Sequence, residues 1–247
     1  MKQYEAVIKI MEENKGYATL SYLYEKVIKI PNVIWKTQTP FASIRRIVQD
    51  ERFFFKIKPG LWALKNYKNK LPEEIDLLIE KEKMTEKEET YTHAYYQGII
   101  VETGNIKGLQ TYVPPQDHNK KFLDKTLKEI VSIESIFNFT YADIIQKVKS
   151  IDVFWFNERK FPSYIFEVEH TTDFKSSMLK FMELQDFNLV NMFIVSFSER
   201  KKEFLSKIDF TSFSPIKNKV RFLTYEDISQ WYAKSYELRI VESKILS

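Results

Sequence analysis

The chain has 247 residues, 44% of them apolar, with 20 phenylalanines, 14 tyrosines and only 5 glycines, enough for one large or two modest cores and unlike a disordered chain. The absence of cysteine excludes a disulfide framework and thiolate metal sites, and no apolar run nears the ~18 residues of a membrane span or forms a signal-peptide core, so a cytoplasmic protein is expected. The net charge of +4 is uneven: residues 1–67 hold 12 lysines and arginines against 6 acids, an excess that suits a polyanionic partner or a solvated basic surface.

Val7, Ile10 and Met11 have helical spacing over residues 4–14, and Gly16 reads as a stop. Thr19 or Ser21 can cap a second helix, which Pro31 ends. A third helix is expected with Thr39 as N-cap and Pro40 at its first position, carrying Phe41, Ile44, Ile47 and Val48 on one side and Arg45 and Arg46 elsewhere. Two short strands follow at 53–57 and 61–64, joined by Lys58-Pro59-Gly60. Three helices and a β-hairpin outline a winged helix-turn-helix.

The run W-x-T-x-T-P-x-A-S-I-R-R, from Trp35 to Arg46, followed by "FFKIKPGLWAL", resembles the HARE-HTH winged-helix module over roughly residues 2–67. The resemblance implies DNA binding. Lys36, Thr39, Arg45 and Arg46 around the third helix, with Lys56 and Lys58 on the wing, suit phosphate contacts by a helix in the major groove. Winged helices also serve as protein–protein modules.

Residues 68–90 are charge-dense and read as a linker, so the expected domains are 1–67, a linker at 68–90, and 91–247. In the third segment a helix spans 92–103, with Gly104 and Asn105 as stops and Glu102 near its end. A strand is expected at 109–115, helices at 122–132 and 141–149, a hairpin with strands 151–156 and 163–169, and a helix over 173–186 capped by Thr171 or Thr172. A buried strand at 191–197 and a last strand leading into a short helix complete a mixed β-sheet flanked by helices.

The chemistry concentrates in "IFEVEHTTDF" (residues 165–174). Glu167 and Glu169 share one strand face, while Phe166 and Val168 point the other way. Asp152 opens the preceding strand, with 14 residues between it and Glu167. A turn centred between Arg159 and Lys160 sets Asp152 opposite Glu167; one centred between Lys160 and Phe161 sets it opposite Glu169. Either register gathers three carboxylates, which repel unless a cation sits among them. The nearby candidates are Arg159, Lys160, Lys175 and a hard divalent ion. Oxygen-only ligands suit Mg²⁺, with Mn²⁺ as a substitute. A surface strand dressed with salt bridges is the plainer reading, but the flanks are apolar. His93 and His170 are the other titratable candidates, His170 in a core or hydrogen-bonding role. Asp117 and His118 fall in a loop that is a surface turn or a DNA contact. Phe154, Trp155 and Phe156 fill the packing layers of the sheet.

D-x(14)-E-x-E on a β-hairpin between helices, together with "FEVEHTT" and the upstream "HAYYQGIIVETGNIKGLQTYVPPQD", resembles the PD-(D/E)xK nuclease superfamily over about residues 92–232. The resemblance implies a restriction-endonuclease-like α/β fold and Mg²⁺-dependent cleavage of double-stranded DNA, as in type II restriction enzymes. Asp152 and Glu167 then match the two metal-binding acids, Val168 a carbonyl ligand, and Glu102 a further acid from the upstream helix. Glu169 stands where the pattern has lysine, so it takes the part of a base or of a second metal's ligand. Two strands cut imply a homodimer or a monomer nicking in sequence. A modification-dependent nuclease, and a non-catalytic DNA-binding regulator whose C-terminal domain dimerises, are the alternatives.

Overall fold

The computed structural model describes residues 1–37, 39–79 and 85–246. The chain divides into two units, Met1–Glu88 with Ser229–Ser247, and Glu89–Ile228.

The first unit starts with α1 (Gln3–Glu13), which ends in a left-handed turn at Lys15 and Gly16. Gly16 is required twice over, because a Cβ there would collide with the Tyr67 ring. The chain continues through β1 (Tyr17–Thr19) and α2 (Leu20–Val27), whose N-terminus Thr19 caps by accepting from the Tyr22 N–H. In α3 (Phe41–Val48), Pro40 rather than Thr39 holds the cap position; its fixed φ of −72° leads into the helix and Thr39 stays exposed. β2 (Phe54–Lys58) and β3 (Leu61–Leu64) pair antiparallel, and β1 adds to the free side of β3. β1 is a strand that the spacing of residues 16–20 did not announce. The core gathers Val7, Met11, Leu23, Phe41, Ile44 and Phe54. A short α4 (Glu73–Asp76) buries Ile75 within the segment read as a linker.

α5 (Glu86–Ile106) is longer than expected and runs through Gly104. That glycine is a packing residue, since a Cβ would lie 2.6 Å from both Trp155 Nε1 and Thr111 Cγ2. β4 (Gln110–Tyr112) follows. Instead of a helix at 122–132, a two-stranded hairpin forms, β5 (Lys121–Phe122) and β6 (Lys125–Thr126), turning at Leu123 with φ 55° before the short α6 (Leu127–Ile130). α7 (Ala142–Val148), β7 (Val153–Phe156), β8 (Pro162–Val168), α8 (Phe174–Met182), β9 (Asn191–Ser196), α9 (Lys201–Ile208) and β10 (Val220–Thr224) complete the unit.

The sheet order is β10-β9-β8-β7-β4. β4–β7 and β7–β8 are antiparallel, whereas β8–β9 and β9–β10 are parallel, joined by helical crossovers. This is a mixed α/β fold of the restriction-endonuclease-like kind. Phe154, Phe156, Ile165 and Ile194 pack under Phe174, Met178 and Phe181 of α8 on one face. Trp155, Phe166 and Phe193 fill the other, towards α5.

α10 (Tyr225–Ile245) is 21 residues long, not short. Its part from Ser229 belongs to the first unit, where Ala233, Ile240 and Val241 join the core.

Candidate active site

Val153 pairs with Phe166 and Trp155 with Tyr164, so the next step of the ladder sets Asp152 across from Glu167. This is the first of the two registers; a bulge beside Phe156 absorbs the extra residue. The Val168 N–H donates to Asp152 Oδ2 at 2.7 Å. His93 Nε2, from α5, meets the same oxygen at 3.1 Å.

Glu167 is 2% exposed, and its charge partner comes from α8. Lys180 Nζ donates to both of its oxygens at 2.9 Å and to the Ser150 carbonyl at 3.2 Å. The cation beside the glutamates is therefore Lys180. The expected candidates lie over aromatic rings instead: Arg159 over Phe161, Lys160 over Phe137 and Lys175 over Phe210. Glu169 is contacted by the hydroxyls of Ser177 and Thr172. Ser177 Oγ is also 3.0 Å from Glu167. One hydroxyl hydrogen cannot serve two carboxylates, so a proton on either glutamate completes this triangle. Thr172 is thus occupied, and Asp173 caps α8 through the Lys175 N–H.

Burial pushes Glu167 well above the usual carboxylate range, and the charge of Asp152 adds to the effect against the pull of Lys180. Burial also raises Glu169, with the Ser177 hydrogen bond opposing and Asp152 assisting. Burial works on Asp152 too, but His93 and the Val168 N–H overcome it and hold that carboxyl low. His93 is raised in turn, its desolvation outweighed by Asp152. Lys180 is held charged, since Glu167 outweighs its burial.

These groups line a cleft of about 540 Å³ together with Glu89, Lys120 and Asp173. Among the described residues, no group of three or more His, Asp or Glu side chains is arranged to hold a metal ion by itself. Asp152 and Glu167 remain a pair of hard oxygen donors on one cleft. Two carboxylates completed by water and phosphate oxygens are a ligand set that suits Mg²⁺.

Glu102 is not part of this site. It lies nine residues beyond His93, half a turn out of phase on the helix, and Glu89 and His93 face the cleft instead. Asp117 is neither a surface turn nor a free DNA contact; it is buried, accepts from Gln97 Nε2 at 2.7 Å and pairs with Lys120 at 2.6 Å. His118 Nε2 sits 3.3 Å from the Val113 carbonyl. His170 has the hydrogen-bonding role expected of it, with Nδ1 3.3 Å from the Tyr225 hydroxyl and its ring against Phe197. In the first unit, Lys36, Thr39, Arg46 and Lys56 are exposed. Lys58 is 1% exposed at the end of β2 and cannot reach a groove from there. Arg45 is engaged, donating to the Tyr24 hydroxyl and to Glu237, each at 3.0 Å.

The sequence reading missed Lys180, Ser177 and Thr172. Ser177 and Lys180 lie one turn apart beside the apolar stripe Phe174, Met178 and Phe181, a polar flank on a helix bound for the same sheet face.

A family model described as the type II restriction enzyme NmeDI C-terminal domain matches residues 70–247, which include every residue of the cleft. The chain belongs to this family. No curated protein and no solved structure matches it. Within the family match, Asp152 and Glu167 lie on the hairpin, Lys180 on the following helix, and His93 on α5.

Proposed function

We propose that the protein is a Mg²⁺-dependent endodeoxyribonuclease of the type II restriction class, acting on double-stranded DNA. The observation that carries this reading is the meeting of Asp152 and Glu167 in one cleft with the ammonium of Lys180, in a chain of a type II restriction enzyme family. Asp152 and Glu167 are the residues to hold the ion, with Glu89 on the cleft wall as the α5 acid. When bound, such an ion polarises a phosphoryl oxygen and acidifies its water. Lys180 supplies the ammonium that the usual pattern carries two residues after the second acid, offsetting charge beside Glu167. Glu169, its carboxyl raised by burial, is suited to take up a proton. The first unit binds the duplex through Lys36, Thr39, Arg46 and Lys56.

Digestion of plasmid DNA with Mg²⁺ or with EDTA tests the reading, followed by sequencing of the fragment ends. Cleavage is expected with Mg²⁺ alone and with Mn²⁺ in its place. Asp152→Ala should still bind DNA while its cutting falls by about 10³-fold, or about 4 kcal/mol of barrier. Binding without cleavage of methylated and unmethylated DNA alike would favour a regulator, and cleavage restricted to methylated DNA a modification-dependent nuclease.

A further inference from the structure

We propose that Lys120 is a substrate contact in this cleft, binding a backbone phosphate of the DNA strand, with Asp117 and Gln97 as its positioning residues. The inference rests on the nuclease reading above.

The cleft is lined by five carboxylates, those of Glu89, Asp152, Glu167, Glu169 and Asp173, so a polyanion entering it needs a cationic partner on the wall. Lys180 and Lys120 are the lysines among the described lining residues. Lys180 has three donors and meets three acceptors, the two Glu167 oxygens and the Ser150 carbonyl. Lys120 also has three donors, but Asp117 is the one acceptor set against its ammonium among the described residues, and the side chain is 30% exposed.

Its backbone is held at both polar groups. The Lys120 N–H donates to the Asp117 carbonyl at 2.9 Å, and the Lys120 carbonyl accepts from the Leu127 N–H at 2.9 Å. The β5–β6 hairpin closes the segment. Gln97 Nε2 holds Asp117 at 2.7 Å and reaches the main-chain oxygen of Asp152 at 3.3 Å. One buried amide therefore ties the carboxylate that orients Lys120 to the backbone of the acid at the reacting centre. A lysine that served only to neutralise Asp117 would need neither this tether nor a place on the cleft wall.

The test is steady-state cleavage of plasmid DNA by the full chain with Mg²⁺ at several salt concentrations. Loss of a contact made equally in ground and transition states raises KM and leaves kcat alone. Lys120→Met is expected to raise KM about tenfold with kcat nearly unchanged, and to lower the salt dependence of binding by about one unit of slope. Lys120→Arg should keep values near those of the unmodified protein. Lys120→Met combined with Asp117→Asn removes the bare buried carboxylate; its melting temperature should recover while KM stays high. Unchanged KM and slope in Lys120→Met, or recovery of KM together with melting temperature in the double variant, would overturn the proposal and leave the nuclease reading standing. Absence of cutting by the unmodified protein with Mg²⁺ and Mn²⁺ would overturn the nuclease reading, and this proposal with it.

Discussion

Glu167 has both oxygens on one ammonium in a nearly dry place, which makes the pair asymmetric under substitution. Removing Lys180 strands a buried carboxylate, and breaking a buried pair in this way costs about 3–5 kcal/mol. Lys180→Met should lose that much in urea unfolding, and adding Glu167→Gln should restore most of it; equal losses in single and double variants would mean the pair carries no coupling. Glu169 gives a pH signature. Its folded pKa is raised from the ordinary value of 4.5, first by burial. A raised carboxyl contributes its full stabilisation below the unfolded value and loses it as pH climbs through the folded one. Metal-free stability should therefore fall over that window above pH 4.5, and Glu169→Gln, which cannot ionise, should not share the fall. In thermal melts in EDTA, the advantage of the Gln variant should grow with pH to a few degrees. An advantage that shrinks would mean the ionised form is the stabilised one. At this scale the sequence disclosed the acids because alternation along a strand is local. It did not disclose Lys180 or the pairing of His93 with Asp152, because those depend on which helix packs on which face.

The turn between β8 and α8 is held by residues from other elements. Arg200, just before α9, donates to the carbonyls of His170 at 3.0 Å, Glu169 at 3.3 Å and Thr172 at 2.7 Å. Its guanidinium also lies 4.2 Å from the Phe174 ring centroid, and Ser196 Oγ adds a bond to the Glu169 carbonyl at 2.5 Å. A planar five-donor fork can serve three carbonyls and stack on a ring; an ammonium cannot. Arg200→Lys should therefore behave almost like Arg200→Ala, lowering kcat about 10- to 100-fold by loosening the segment that carries Glu169 and Thr172. Full activity in Arg200→Lys would show that charge alone suffices there. The hairpin register was legible as one of two choices, since loop length limits how strands can pair. The β5–β6 hairpin was not, because residues 121–132 carry helix-compatible spacing and only Leu123, in a left-handed turn, breaks it. The start of α8 was misplaced because Thr171, Thr172 and Asp173 are all good caps, and Thr172 is taken by Glu169.

The two ends of the chain meet in the first unit, and a sequence read from left to right gives little sign of it. The spacing of apolar residues over 225–245 does not tell which core α10 enters, and its part from Ser229 packs in the first unit. Beyond the apolar contacts of Ala233, Ile240 and Val241, the helix contributes Tyr236, which donates to Glu25 at 2.6 Å, and Glu237, which holds Arg45. Arg45, expected as a phosphate clamp, is therefore part of the fold, and the DNA-facing cations proposed for this unit reduce to Lys36, Arg46 and Lys56. A unit of 88 residues plus this segment has a small core, and small cores lose stability steeply when a packing element is removed. A chain ending at Ile228 should lose hydrogen-exchange protection across α1, α2 and α3 while the amides of β7, β8 and β9 stay protected. Tyr24, Phe41 and Ile44 would be left with one side of their core open. Full protection of α1–α3 in the truncated chain would mean that the N-terminal segment folds on its own, and that Glu237 merely decorates Arg45.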